Sequence, residues 1–216
     1  YSGFWAPDIV ANLGVEQSWG KAQISGALHQ IKTSTFGAGV PAGFNGKSEW
    51  GWAVSGGVQI NLPMLAPGDY LWLNASYAQG AWAYVNSGWF GGALTGQGVK
   101  NSMTYYSADA FVDPATGGLT KSKTWGLVAA LQHYWAPTLR SGFFGGYGRT
   151  ENPGNVADFD IYAVGGNLVW SPVRALDIGF EIAYQGIKGR GIVVNAATGV
   201  PCAGANCGGY SVSSAA

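Results

Sequence analysis

The chain has 216 residues, 36 of them Gly, against a usual Gly share of about 7%. Charged residues supply 10% of the chain, where soluble proteins use about 25%, while 47% are hydrophobic and 14% aromatic. Disorder is excluded by that apolar content, and an ordinary soluble enzyme would have too few charges to solvate its surface. The formal net charge of +0 and pI of about 6.9 lack the basic footprint of a nucleic-acid binder, so no nucleic acid is expected as a partner.

Membrane-spanning helices fail on the two stretches that lack charge, 50–68 and 70–99. Both are broken by Gln or Asn and by several glycines, the first also by Pro63 and Pro67, and mean hydropathy is only +0.09. A chain that avoids charge without being continuously apolar has the composition of a membrane β-barrel, whose strands show every second residue to lipid.

The period along the chain supports that reading. Strands are expected near 8–17, 22–31, 49–61, 69–80, 123–134, 139–149, 159–170 and 175–185, forming a partial outer-membrane barrel over 1–185. In the first, Ile9, Ala11, Leu13 and Val15 oppose Asn12, Gly14 and Glu16. In the second, Ile24 and Leu28 oppose Gln23, Ser25 and His29. Trp50, Trp52, Val54, Val58 and Ile60 then oppose Glu49, Ser55, Gln59 and Asn61; Leu71, Leu73 and Tyr77 oppose Asn74 and Ser76, with Tyr70 and Trp72 on the polar parity. The segments around Trp125–Leu131, Phe143–Tyr147 and Tyr162–Trp170 alternate more softly. In the last, Leu176, Ile178, Phe180, Ile182 and Tyr184 alternate without exception with Asp177, Glu181, Gln185 and small residues. About ten residues is the length that crosses a bilayer at a tilt.

Short connections at 18–21, 62–68, 135–138 and 171–174 alternate with long ones at 32–48, 81–122, 151–158 and after 186. Such sorting matches tight periplasmic turns and long extracellular loops. Aromatics sort likewise. Trp19, Tyr70, Trp72, Tyr134, Trp135 and Trp170 lie near short turns, whereas Trp50, Trp52, Tyr77, Trp82, Trp125, Tyr147, Tyr162 and Tyr184 lie toward the long loops, as two interfacial girdles would. Segment 101–113 is placed in a long loop, folded toward the lumen, and 186–216 reads as an extracellular loop-like tail.

Charges facing lipid cost about 2–4 kcal/mol for Arg or Lys near mid-bilayer. The polar parity must therefore face water, which makes Glu16, Gln23, His29, Glu49, Gln59, Asn61, Arg140, Asp177, Glu181 and Gln185 the pore-lining candidates. His29 reads as a solvated lumenal residue, and His133, beside Tyr134 and Trp135, as an interfacial one. Neither histidine sits in a recognisable catalytic motif, so no catalytic residue is assigned. Cys202 and Cys207, spaced C-x4-C, lack the second pair of a metal site; a disulfide in an extracellular loop and free or differently paired thiols are the two readings. No metal and no cofactor are expected. The glycine-rich run 142–148 lacks the Lys-Ser/Thr of a phosphate loop and reads as a thinned wall or close packing.

Four stretches carry a resemblance: PDIVANLGVEQSWGKAQISGALHQ (7–30), NLPMLAPGDYLWLNASYAQG (61–80), WGLVAALQHYWAPTLRSGFFGGYG (125–148) and NLVWSPVRALDIGFEIAYQ (167–185). The sequence resembles the alphaproteobacterial porin family of rhizobial and brucella type. The resemblance implies a 16-stranded antiparallel outer-membrane barrel of Gram-negative bacteria, a homotrimer in outer-membrane lipid that passes small hydrophilic solutes and ions by diffusion. Family members are longer and end in a strand closing on an aromatic residue. The chain therefore reads as a C-terminal-half fragment with about eight of the strands, the inward-folded constriction loop belonging to a missing N-terminal part. A barrel acting in adhesion through 81–122, and a substrate-specific channel guiding a sugar along lumenal aromatics, are the alternatives. An eight-strand piece of such a sheet leaves two unpaired edges, the alternative being closure as a small eight-stranded barrel.

Overall fold

A two-residue period has one structural solution, a strand whose faces meet different solvents. The computed structural model describes residues 6–32, 48–85, 108–112, 118–153 and 158–190. Within them run β1 (Ile9–Gln17), β2 (Gly20–Lys32), β3 (Ser48–Asn61), β4 (Tyr70–Gln79), β5 (Ala110–Val112), β6 (Leu119–Lys121), β7 (Lys123–Ala136), β8 (Leu139–Glu151), β9 (Asp158–Val173) and β10 (Leu176–Arg190). Eight form one antiparallel sheet in the order β1-β2-β3-β4-β7-β8-β9-β10, and β5 pairs with β6 separately. No helix of the described residues is long and apolar enough to cross a membrane.

Cross-strand partners share a face, so the register sorts every residue. Leu13 pairs with Ile24, Val54 with Tyr77, Leu73 with Ala129, Phe143 with Gly166 and Ile182 with Gly166. These form the outer face. Ser25 pairs with Ser55 and Ser55 with Ser76, Gly57 with Asn74, and Asn167 with Glu181, forming the inner face. The large apolar side chains left most exposed along the strands follow the first parity: Leu13 is 74% exposed, Phe180 71% and Ile182 69%. Such exposure suits hydrocarbon and is unfavourable in water.

Near the long-loop end of that outer face the rings meet in pairs. Trp52 and Tyr77 lie 5.3 Å apart, Trp125 and Tyr147 5.6 Å, and Tyr162 and Tyr184 6.2 Å, an interfacial belt. The expected belts need correction at four positions. Tyr70, Trp72 and Tyr134 face inward, pairing with Asn61, Gln59 and Arg140. Trp82 also points to the inner side, where its indole donates to Thr150 Oγ1 at 3.2 Å. Side-chain parity, rather than nearness to a turn, decides which solvent an aromatic meets.

At the short-turn end Asp69 is buried and ties the β3–β4 turn to β7. It accepts from the Tyr134 backbone N–H at 2.8 Å, and its second oxygen lies 2.6 Å from His133 Nδ1. Burial pushes the Asp69 carboxyl up, but the His133 and Tyr134 hydrogen bonds outweigh it and hold the group below its ordinary value. His133 also stands edge-on to Trp135, with ring centroids 4.4 Å apart.

The tail begins later than the sequence suggests. β10 continues through 186–190 because its ladder with β9 persists, Ile187 opposite Ile161 and Arg190 opposite Asp158, after the apolar alternation has lapsed. The sheet does not close on itself among the described residues: β1 and β10 each pair on one side only, leaving the two unpaired edges rather than the small closed barrel. Cys202, Cys207 and 101–107 lie outside the described residues.

The adjacent residues Ala129 and Ala130 test the facing. Ala129 pairs with Leu73 on the outer side and Ala130 with Trp72 on the inner side. Ala129→Arg is expected to destabilise the folded protein in bilayers by about 2–4 kcal/mol, and Ala130→Arg by much less. Urea midpoints in lipid vesicles check this; equal losses would reject the assignment.

Candidate functional site

The lower part of the inner face is a continuous polar wall. Ser55 and Ser76 hydroxyls lie 2.8 Å apart, Asn74 donates from Nδ2 to Ser55 Oγ at 3.1 Å, and Ser76 donates to Asn74 Oδ1 at 3.0 Å. Tyr70 donates to Gln132 Oε1 at 3.1 Å. Across β8–β10, Arg140 donates from Nη2 to Asp177 Oδ2 at 2.7 Å and from Nη1 to Ser171 at 2.9 Å. A recess of about 490 Å³ lies over β1–β4, edged by Glu16, Lys21, Gln23, Gln59, Trp72 and Asn74.

The upper part of the same face is covered. Ala27, Ala53 and Ala78 form one cross-strand row, continued by Thr124, Thr150 and Phe159, and all are buried. What buries the alanines is the connection between β4 and β7. Ala81 and Val85 pack on them, and Val85 also lies over Gly126. The connection turns inward at Gly80, whose φ of 70° is left-handed, and Gly51 admits its carbonyl; a Cβ on Gly51 would sit 1.8 Å from that oxygen. The Gly80 N–H donates to the Ser122 carbonyl at 2.9 Å, closing the base.

Polar clasps hold both ends of this loop to the wall. Tyr84 donates its hydroxyl proton to Asp8 Oδ2 at 2.5 Å, and Asp8 Oδ1 lies 2.8 Å from His29 Nδ1. On its other side His29 Nε2 is 3.5 Å from Asp109, which accepts from the Trp82 backbone N–H at 2.8 Å. Lys121 completes the attachment with Glu49 at 3.1 Å. Burial raises the Asp8 carboxyl, but the Tyr84 and His29 hydrogen bonds and the His29 charge outweigh it, so the group stays below its ordinary value. The same bond, with burial, pushes the Tyr84 phenol up to about 12.

A sheet with an apolar outer side, a polar inner side and the ends of a long connection seated on that inner side is the architecture of a channel wall. The family model described as the porin subfamily matches residues 3–203. The chain belongs to the porin subfamily. Among solved structures, the outer-membrane channel DcaP of Acinetobacter baumannii is similar in fold, with a TM-score of 0.60 and 14% identity over 87% of this chain. The chain spans 47% of the length of that channel. No curated protein matches it.

The structure of this porin places the ten expected lining residues on the inner face by register, in two environments. Glu16, Gln23, Gln59, Asn61, Arg140, Asp177, Glu181 and Gln185 stand on the wall below the loop. Glu49 and His29 do not. Glu49 is tied to Lys121, and His29 is buried in the clasp rather than solvated. The described ends of the connection between β4 and β7, 80–85 and 108–122 apart from 113–117, lie against the inner face, in keeping with the expectation that this long loop folds toward the lumen. Asp8, Trp82, Tyr84, Asp109 and Lys121 were not foreseen as site residues. The signal that marks them is the row Ala27, Ala53 and Ala78, small apolar residues on the parity that otherwise faces water.

The clasp has a pH signature. Asp8 has a folded-state pKa below its unfolded value of about 3.9, so its contribution is complete above that value and is lost as pH falls through the lower, folded one. Asp8→Asn should therefore lower the urea midpoint at about pH 6, with the gap from the parent narrowing at about pH 3. A gap that does not change with pH would refute the linkage.

Proposed function

We propose that the chain builds part of the wall and the constriction of a water-filled outer-membrane channel, through which small hydrophilic solutes and ions diffuse passively and unchanged. The observation that carries the reading is the attachment of the described ends of the β4–β7 connection to the upper inner face, above a polar wall left open beneath them. A loop in that position narrows the passage and sets a size limit, while opposed charges such as Arg140 against Asp177 and Glu181 give a mild ion preference.

Closure requires further strands. The unpaired edges of β1 and β10 would each present unsatisfied peptide groups to lipid. Together with the 47% coverage of the similar channel, this favours a larger barrel, of 16 strands by the family resemblance. Assembly as a homotrimer in a Gram-negative outer membrane, of the alphaproteobacterial type, belongs to the same proposal. Two of the three readings from sequence now differ in support. Adhesion through 81–122 is disfavoured, since the described ends of that connection lie against the inner wall. A solute-selective channel draws support from Trp72 standing beside Gln23, Gln59 and Asn74 at the recess, an aromatic face among amides.

Planar-bilayer recording of the complete protein tests the proposal. Conductance in steps of three with weak selectivity is expected. Tyr84→Phe, which removes the donor to Asp8, should raise the size limit for neutral solutes, and Glu181→Gln should shift the reversal potential toward anions. No conductance from a folded protein would overturn the channel reading; strong block by sucrose at millimolar concentration would favour the selective channel over the diffusion pore.

A further inference from the structure

Glu16, Lys21, Glu49, Arg140, Asp177 and Glu181 face inward, but at the long-loop end of β7–β10 charged residues take the outward parity. Arg149, Asp160 and Lys188 occupy one cross-strand row on β8, β9 and β10, on the same parity as the belt residues Tyr147, Tyr162 and Tyr184. They therefore face outward, toward lipid. Arg149 lies two residues beyond Tyr147 and Asp160 two before Tyr162, about 7 Å along the strand toward the long-loop end. That step leaves the aromatic belt and enters the headgroup layer.

The cations there exceed what their carboxylate can neutralise. Asp160 is buried and takes Arg149 Nε on Oδ1 at 2.9 Å and Arg190 Nε on Oδ2. Both guanidinium groups engage it through Nε, so their terminal amino groups are not consumed by that carboxylate. Lys188, directly across from Asp160, is exposed. The next row outward adds Lys123, Glu151 and Asp158, the last accepting the Asn152 N–H at 2.7 Å, so the two rows together set the cations Lys123, Arg149, Lys188 and Arg190 against the carboxylates Glu151, Asp158 and Asp160. The cations not matched within this group lie around Asp160, beside the Tyr147 ring.

We propose that Arg149, Lys188 and Arg190 form a binding site for the phosphate of an outer-leaflet lipid headgroup, with Asp160 holding the two guanidinium groups in place as a positioning residue. Planar guanidinium forks match phosphate oxygens, and an adjacent ammonium adds a point charge. The site rests on the outer-membrane reading above, because only there does this parity meet headgroups.

Native mass spectrometry of the detergent-purified protein with diphosphorylated lipid A tests it. Retained lipid is expected, with monophosphorylated lipid A held more weakly and its phosphate-free form least. Arg190→Gln should weaken retention about fivefold. Lys188→Glu should weaken it further, and because Lys188 makes no bond to Asp160 that variant leaves the buried carboxylate paired. Heat-dependent gel mobility confirms that each variant is folded. Equal retention by parent and Lys188→Glu, equal retention of the phosphate-free lipid, or release by millimolar inorganic phosphate would each overturn the proposal. A protein that conducts ions but retains no lipid would refute this site alone and leave the channel reading intact.

Discussion

Peptide groups have no partner in hydrocarbon, and the rest of this structure follows from that fact. A helix satisfies its own N–H and C=O groups, but this chain's glycines and amides forbid long apolar helices. It satisfies them laterally instead, strand to strand, along an unbroken antiparallel ladder from β1 to β10. Lateral pairing then forces alternation, because each residue can reach only one of two solvents. The polar wall, the aromatic belt and the outward cations are all read from this one geometric rule.

The inner face shows how a second layer is added without disturbing the ladder. Small side chains at Ala27, Ala53 and Ala78 leave room for the loop's own Ala81 and Val85. Contact there is apolar and shallow. Direction comes from hydrogen bonds at the margins: Trp82 to Thr150 on one side, and Tyr84 through Asp8 to His29 on the other. Since Thr150 stands on β8 while Asp8 precedes β1, the attachments reach across much of the sheet's width. Truncating one of them leaves the others to hold the loop, which favours graded rather than all-or-none effects on the passage.

Much of the sheet was legible in the sequence because its code is local. Parity over a few residues is enough to assign Phe180 outward and Glu181 inward, and no distant residue is consulted. Inward placement of Trp82 and the burial of His29 were not legible, for the opposite reason. Their partners, Thr150 and Asp109, are distant in sequence and belong to no period. Tyr70 and Trp72 mark an intermediate case: their parity was visible, but their nearness to a turn suggested the belt. The end of β10 was missed because backbone pairing outlasts the side-chain pattern that reveals it.

The contact of the Gly80 N–H with the Ser122 carbonyl has a consequence for variation. It joins the chain where the excursion leaves the sheet to where it returns, so β4 and β7 pair as if they were neighbours in sequence, Gln79 opposite Lys123. The excursion is thereby uncoupled from the register of the strands it connects. Each doubling of its length would add only about 0.6 kcal/mol of closure entropy. Insertions and deletions inside it thus leave the pairing of the wall unchanged, so that on the proposed channel reading one scaffold serves a range of permeabilities.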